Sequence, residues 1–419
     1  MMLWSAALLV MAGAAAAGQT SQPSLTIAGQ VVLFADVLPR RDVTEFRPDI
    51  LIDAAGRRGR LAFRAEATVE GLVARRGVTV TDAAVRPRDV WIEVAGARAD
   101  LRAGYGRVIW GRLDEIQPSD VVNPTDAARF LLDGRTDARL PVTFVRGRVF
   151  VRETLVVEGV VVPRFRRGVF DRRDEATSPF NLVNGAVLPA GVEAAGAIRH
   201  VEPDGGWAGV SGGGRVSATV GRVDVAGAVF RGFDAFGPIS FEVTTQIFPS
   251  VIGELVERHP RFTMISGDVE TVTGKWALRG EAALFVERTL AGVSRPGLVD
   301  GRSFDIGAGV DRRAGDYRLF ASVVAHREWS PEDPGVERAD VSLVGSIERP
   351  LRRERWLVRV FGLVNPADRS SFLRGLVAWK PRDNVTIEAS AAVFMGTSDD
   401  TIGRFHGRDF LFGRVRYHF

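Results

Sequence analysis

The side chains able to do covalent or metal chemistry are few and scattered. The chain has 419 residues, no cysteine and five histidines, His200, His259, His326, His406 and His418. The absence of thiols excludes disulfide scaffolds, Cys-type zinc sites and thiol nucleophiles. A hydrolase would need a serine, a base and an orienting group within hydrogen-bond reach. Ser322 precedes His326 by four residues on an alternating segment, which puts it about 13 Å away along an extended chain. Ser398-Asp399-Asp400 offers calcium too few oxygen ligands. Ser211-Gly212-Gly213-Gly214 lacks the Lys-Ser/Thr ending of a phosphate loop. These readings predict no catalytic residue, no metal and no cofactor.

The abundant chemistry is ionic. Lys and Arg number 55 against 51 Asp and Glu, a net charge of +4, and the only lysines are Lys275 and Lys380. A nucleic-acid binder concentrates basic residues in a patch; here arginines alternate with acids along the chain, so no nucleic-acid partner is expected. Arg64, Glu66, Arg98, Asp100, Arg102, Arg146, Arg148, Arg152, Arg318, Arg414 and Arg416 all fall on alternate positions opposite apolar residues. Such stripes would line an aqueous lumen and set its ion preference, and the arginine excess points to mild preference for anions. The same charges could instead pair across strands and satisfy one another.

The elements carrying these stripes have a period of two. In Arg60–Glu70 the odd positions Leu61, Phe63, Ala65, Ala67 and Val69 oppose Arg60, Arg64, Glu66 and Glu70. The same alternation marks 97–105, 316–326 and 384–395. Segments of about 10 residues suit a tilted strand crossing a bilayer. About 18 strands (16–18) are expected, joined alternately by tight turns such as Gly221–Arg222 and by longer polar connections. The longer ones are 36–46, 73–87, 106–142, 164–208, 232–261, 288–302, 327–338, 365–371 and 396–408. That rhythm predicts an all-β, transmembrane, antiparallel up-and-down barrel with short periplasmic turns and long extracellular loops.

Lipid physics favours this over a soluble sandwich, because a sheet can cross hydrocarbon only if it closes and pairs every backbone group. Residues 1–18 are read as a signal peptide, apolar from Leu3 and ending in Ala14-Ala15-Ala16-Ala17-Gly18. Residues 19–419 are then one barrel domain in the outer membrane of a Gram-negative cell. Trp91, Tyr105, Trp276, Trp356, Trp379, Tyr417 and Phe419 fall near strand ends, as interfacial girdles require. The last strand alternates Leu411, Gly413, Val415, Tyr417 and Phe419. Such a terminus looks like the signal by which the barrel-assembly machinery recognises outer-membrane barrels, with Phe419 as its contact. Outer-membrane lipid and small solutes are the other expected partners, and a homo-oligomer is open.

The connection 106–142 is the richest in polar detail. Asn123, Pro124 and Asp126 would start a short helix, with Asn123 as its cap. A bland surface helix is one outcome. The sharper expectation is a loop folded into the lumen, with Arg107, Trp110, Asp114, Asp120, Asn123 and Asp126 at a constriction.

Several of these residues also carry a resemblance. Gly106-Arg107…Trp110-Gly111…Asp120-Val121-Val122-Asn123-Pro124-Thr125-Asp126, then Leu140-Pro141-Val142, resembles a bacterial outer-membrane barrel family of unknown function. Phe230-Arg231-Gly232-Phe233-Asp234…Pro238 is similar to that family too, whereas Arg112 stands where it commonly has an acid or amide. The resemblance implies a porin-like channel for small hydrophobic or organic solutes and no catalytic residues. A plugged barrel whose loops bind a partner is the alternative reading; an outer-membrane hydrolase is the third.

Overall fold

In the computed structural model the period-two segments pair into a ladder that closes on itself. The structure describes residues 24–38, 41–76, 78–127, 134, 138–169, 192–194, 198–247, 250–294, 297–397, 400 and 402–419. The expected signal peptide lies outside them, as does most of 164–197.

The first arc holds β1 (Ser24–Leu38), β2 (Arg41–Arg58), β3 (Leu61–Arg76), β4 (Val78–Ala95), β5 (Ala99–Gly106), β6 (Val142–Arg152) and β7 (Leu155–Val162). Two short strands, β8 (Val192–Ala194) and β9 (Arg199–Val201), precede β10 (Ser211–Val220) and β11 (Val223–Phe233). A hairpin, β12 (Ile239–Ile247) and β13 (Ser250–Arg258), precedes β14 (Arg261–Thr273), β15 (Trp276–Ala291) and β16 (Leu298–Ala314). The ring is completed by β17 (Tyr317–Trp329), β18 (Glu337–Leu351), β19 (Trp356–Asn365), β20 (Ser370–Arg382), β21 (Val385–Met395) and β22 (Phe410–His418). Eighteen strands make the barrel sheet, all antiparallel neighbours, and β22 pairs with β1 from Gln30↔His418 to Val37↔Leu411. The fold is therefore a closed 18-stranded antiparallel β-barrel. β8, β9, β12 and β13 form a separate small sheet in the long-loop region.

Short turns, most of them of two residues, join the strands at one rim. Gly59, Gly221, Gly274 and Gly315 each begin such a turn at φ between 59° and 64°. A glycine at that first position supplies the positive φ that a twisted hairpin needs. Both lysines are exposed on this rim, Lys275 in the β14–β15 turn and Lys380 near the end of β20.

Alternation then sorts the side chains. Large apolar residues point outward and stay about half exposed, among them Ile265 at 51%, Ile306 at 50% and Leu101 at 53%. Charged residues on the opposite parity are buried, such as Glu66, Asp100, Asp268 and Glu281. Outward-facing Trp276, Trp356, Trp379, Tyr417 and Phe419 gather near the short-turn rim, where Trp356 stacks on Trp379 at 5.7 Å. Arg312 lies over the Trp276 ring at 4.4 Å and Arg349 over Tyr317 at 4.8 Å. These are the amphipathic pairings a membrane interface favours.

Some expectations are corrected. The connections expected at 36–46 and 73–87 are largely strand: β3 and β4 stay paired as far as Arg76↔Val78, and β2 and β4 each run 18 residues. Ladder pairing continues past bilayer length there because Val78-Thr79-Val80-Thr81 is itself β-prone. The expected loop 232–261 contains the β12–β13 hairpin. Trp91 does not join a girdle. It shares parity with Glu93, faces inward, and carries the Arg102 guanidinium 3.9 Å above its ring.

Opposite the turns, one loop clasps another. Asp333, fully buried between β17 and β18, accepts the N–H groups of Val293 and Ser294 at 2.8 Å each and of Gly335 at 3.0 Å. Enclosure alone would raise this carboxyl; the Ser294 hydroxyl and the three backbone donors overcome that and hold it down to about 2. Its contribution is present above the ordinary aspartate value of about 3.9 and disappears as pH falls through about 2. Asp333→Asn should therefore expose the 292–297 connection to pepsin already at about pH 3, where the parent resists. Equal nicking of the two proteins at that pH would count against the clasp.

Candidate functional lumen and its crossing loop

β5 ends at Gly106 on the long-loop rim, and the chain between it and β6 turns into the barrel. Asn123 holds the two legs of this segment together. Its Oδ1 accepts the Val108 N–H at 2.7 Å, and its Nδ2 donates to the Gly106 and Leu140 carbonyls at 3.2 and 2.8 Å. It does not cap a helix at Pro124, as expected from sequence. Thr125 and Asp126 bridge in extended form to Arg139 and Val169, and helical conformation begins at Ala127. The carboxamide is drawn to the backbone groups of neighbouring legs rather than to its own downstream amides. Residues 128–133 lie outside the described ones.

From that base the loop reaches across. The Trp110 indole N–H donates to Glu158 of β7 at 2.6 Å, and its ring meets Phe230 of β11 edge-on at 5.8 Å. Arg112 reaches Asp268 and Glu270 of β14 at 2.5 and 2.8 Å. Glu281 of β15 receives four donors: the N–H groups of Arg112 (2.9 Å), Leu113 (3.1 Å) and Ser119 (2.6 Å), and the Ser119 hydroxyl (2.7 Å). Leu113 is wholly buried over Gly307 and Gly309 of β16, where an added Cβ would lie 2.6 and 2.9 Å from its methyl groups. Asp114 pairs with Arg279 of β15 at 2.7 Å, and Glu115 lies 3.6 Å from Arg359 of β19. β19 is the tenth strand around from β5 in a ring of 18, so the loop spans to the far wall. Within the loop, Arg139 donates to Asp120 at 2.6 Å and to Gln117 at 2.5 Å. Arg107 anchors the exit of β5 on Asp89 at 2.5 Å, with Glu66 at 4.0 Å.

The inward charges of the wall are mostly paired with neighbours. Arg64 lies 2.9 Å from Asp53 and 2.7 Å from Glu66, which also meets Arg88 at 2.9 Å. Arg148 pairs with Asp100 at 2.7 Å, Arg102 with Glu93 at 2.5 Å, and Arg146 sits between Glu93 and Glu158 at 3.7 and 4.0 Å. Arg414 and Arg416 share Glu388 at 3.6 and 3.2 Å. Arg318 stays mostly exposed beside Asp311 at 3.4 Å, near the short-turn rim. Arg152 ends β6 and is exposed. Arg98 lies in the β4–β5 turn and not on the wall, because the ladder begins only at Ala99.

The crossing loop packs on one side through apolar residues. Val108, Trp110 and Val122 form a cluster with Phe144, Phe230, Phe262 and Phe285 of the wall. A second cluster of inward aromatics, including Phe34, Phe372, Phe394 and Phe412, is covered by Ile402 and Phe405 from the last connection. Sequence reasoning missed both. Their signal was inward-parity phenylalanine at the long-loop ends of strands, which a purely aqueous lumen would not need.

The hydrolytic reading finds little here. Both ring nitrogens of His326 face carboxylates, Nδ1 at 2.5 Å from Asp305 and Nε2 at 3.5 Å from Glu328. Gly209-Val210-Ser211-Gly212-Gly213 has the spacing of a nucleophile elbow, which the sequence reading passed over. Ser211 sits in a strand ladder opposite Val162, not on the strand-to-helix turn that chemistry requires.

A closed barrel with an apolar outer belt, an aromatic girdle at one rim and ionised residues inside is of the outer-membrane class. No protein-family model matches the chain, and no curated protein matches it in sequence. Among solved structures it is similar to OccK7 (OpdD) of Pseudomonas aeruginosa, with a TM-score of 0.49 and 10% identity over 96% of this chain and 99% of that one. It is also similar to OccAB3 of Acinetobacter baumannii, at TM-score 0.48 and 9% identity over 96% and 100% of the two chains. For OmpF of Salmonella typhi, solved with daunomycin, the values are 0.46 and 8% over 94% and 97%.

Proposed function

We propose that this protein is a porin-like channel of the Gram-negative outer membrane, passing small solutes through a lumen partitioned by the 107–141 loop. The observation that carries the reading is the tethering of that loop from β7 round to β19, which leaves the arc from β20 through β22 and β1 to β2 untouched by its described residues. Arg414 and Arg416 stand on that arc around Glu388, with Arg374 over the Phe412 ring, and the cationic excess there gives the passage a mild preference for anions. No residue is assigned a catalytic role.

One observation favours the alternative of a plugged barrel with partner-binding loops: the loop is packed as a core on its β6–β15 side. Planar-bilayer recording separates the two. The channel reading expects discrete steps and, in a KCl gradient, a reversal potential displaced toward that of chloride. Purified folded protein that gives no steps at any voltage is a plug.

A further inference from the structure

In the small sheet outside the barrel, three residues converge that the channel does not use. β9 runs parallel to β13 with His200 opposite Glu257. His259 follows two residues later on the extended chain, where alternate side chains share a face. The ligand atoms of His200, Glu257 and His259 all lie within 4.8 Å of one another. His200 Nδ1 is 2.8 Å from Glu257 Oε2, and Glu257 Oε1 accepts the Gly237 N–H at 3.2 Å. Gly237 has to be glycine, since a Cβ there would fall 1.6 Å from the Arg258 carbonyl oxygen.

The His259 ring is the telling part. Only 5% exposed, it rests against Phe165 with centroids 4.9 Å apart, and its Nδ1 lies 2.9 Å from the Asp234 carbonyl oxygen. A carbonyl can only accept, so Nδ1 carries the proton and Nε2 keeps its lone pair. That Nε2 is buried and has no hydrogen-bond partner among the described residues. A buried, unsatisfied acceptor costs free energy. Orientation of a ring by an Nδ1–H···O=C bond, with the other nitrogen free, is the arrangement metal-binding histidines use.

We propose that His200, Glu257 and His259 bind one divalent zinc ion, joining β9 to the end of β13 in the loop region of the barrel. Two imidazoles and a carboxylate are a borderline-soft set that zinc accepts readily. Tetrahedral bonds of about 2.0–2.1 Å place ligand atoms roughly 3.3 Å apart, so the trio closes by only about 1.5 Å at its widest. The site is independent of conduction through the lumen.

The test uses full-length protein folded in detergent, stripped with a chelator and titrated with Zn²⁺ alone in a calorimeter. The parent should bind one equivalent. His259→Ala and His200→Ala should each weaken binding by about a hundredfold or more, beyond the loss typical of an outer-shell partner, while both keep heat-modifiable gel mobility. His200 is partly exposed, so its variant decides the matter should His259→Ala misfold. No stoichiometric zinc on the parent, or equal affinity in parent and His200→Ala, overturns the proposal.

Discussion

Replacing Glu281 by alanine should raise single-channel conductance at least about twofold and make the steps noisy, since current follows the open cross-section. Glu281 is 3% exposed and gathers four donors from Arg112, Leu113 and Ser119. Hydrogen bonds to a charged acceptor contribute about 1.5–3 kcal/mol each. Arg112 still anchors on Asp268 and Glu270, but beyond it, among the described residues, only Leu113 and the Asp114 and Glu115 pairs, on partly exposed arginine partners, hold the loop to the wall. The far half of the loop should then leave the wall and sample the lumen. Glu281→Gln keeps one acceptor oxygen and should fall between. Barrel assembly should be unchanged in both, because neither touches the outer face. If the alanine variant conducts as the parent does, the loop is not the element that limits flow.

The second large effect is on assembly. Ile306 faces outward midway along β16, half exposed and nine residues from the short turn. Ile306→Arg puts a guanidinium near mid-bilayer, at a cost of about 2–4 kcal/mol. Leu101→Arg lies three residues from its turn, where the head groups are in reach, and should cost only about 0–1 kcal/mol. Urea titration of the two variants refolded into vesicles measures the contrast. Arg318→Leu, inside the barrel, should assemble as the parent does. Equal destabilisation by both outward arginines would contradict the depth assigned to the belt, and harm from the inward substitution alone would reverse the facing.

Much of this architecture was legible in the residues themselves. Alternation at Leu61–Val69 or Val385–Met395 has only one geometric outcome, and glycine at the head of four of the tight turns marks where the chain reverses. Trp91 lies near a strand end, as a girdle residue would, but its parity with Glu93 already turns it inward. The extended ladders over 73–87 were hidden by interspersed Arg, Asp and Pro, which read as loop until a partner strand supplies the missing bonds. Asn123 was legible as a carboxamide beside proline. Its true partners, Gly106 and Leu140, are 17 residues away on either side, and no local pattern encodes them. The trio of His200, Glu257 and His259 depends likewise on a parallel pairing between distant segments.

The near-total replacement of lysine by arginine has an experimental corollary. Apart from the α-amino group, the only primary amines are at Lys275 and Lys380, both exposed on the same mouth. Amine-reactive dye added to intact cells should leave both side chains untouched, whereas permeabilised cells should show both decorated. The protein thus carries a built-in reporter of its own sidedness, readable by peptide mass mapping without inserting a tag.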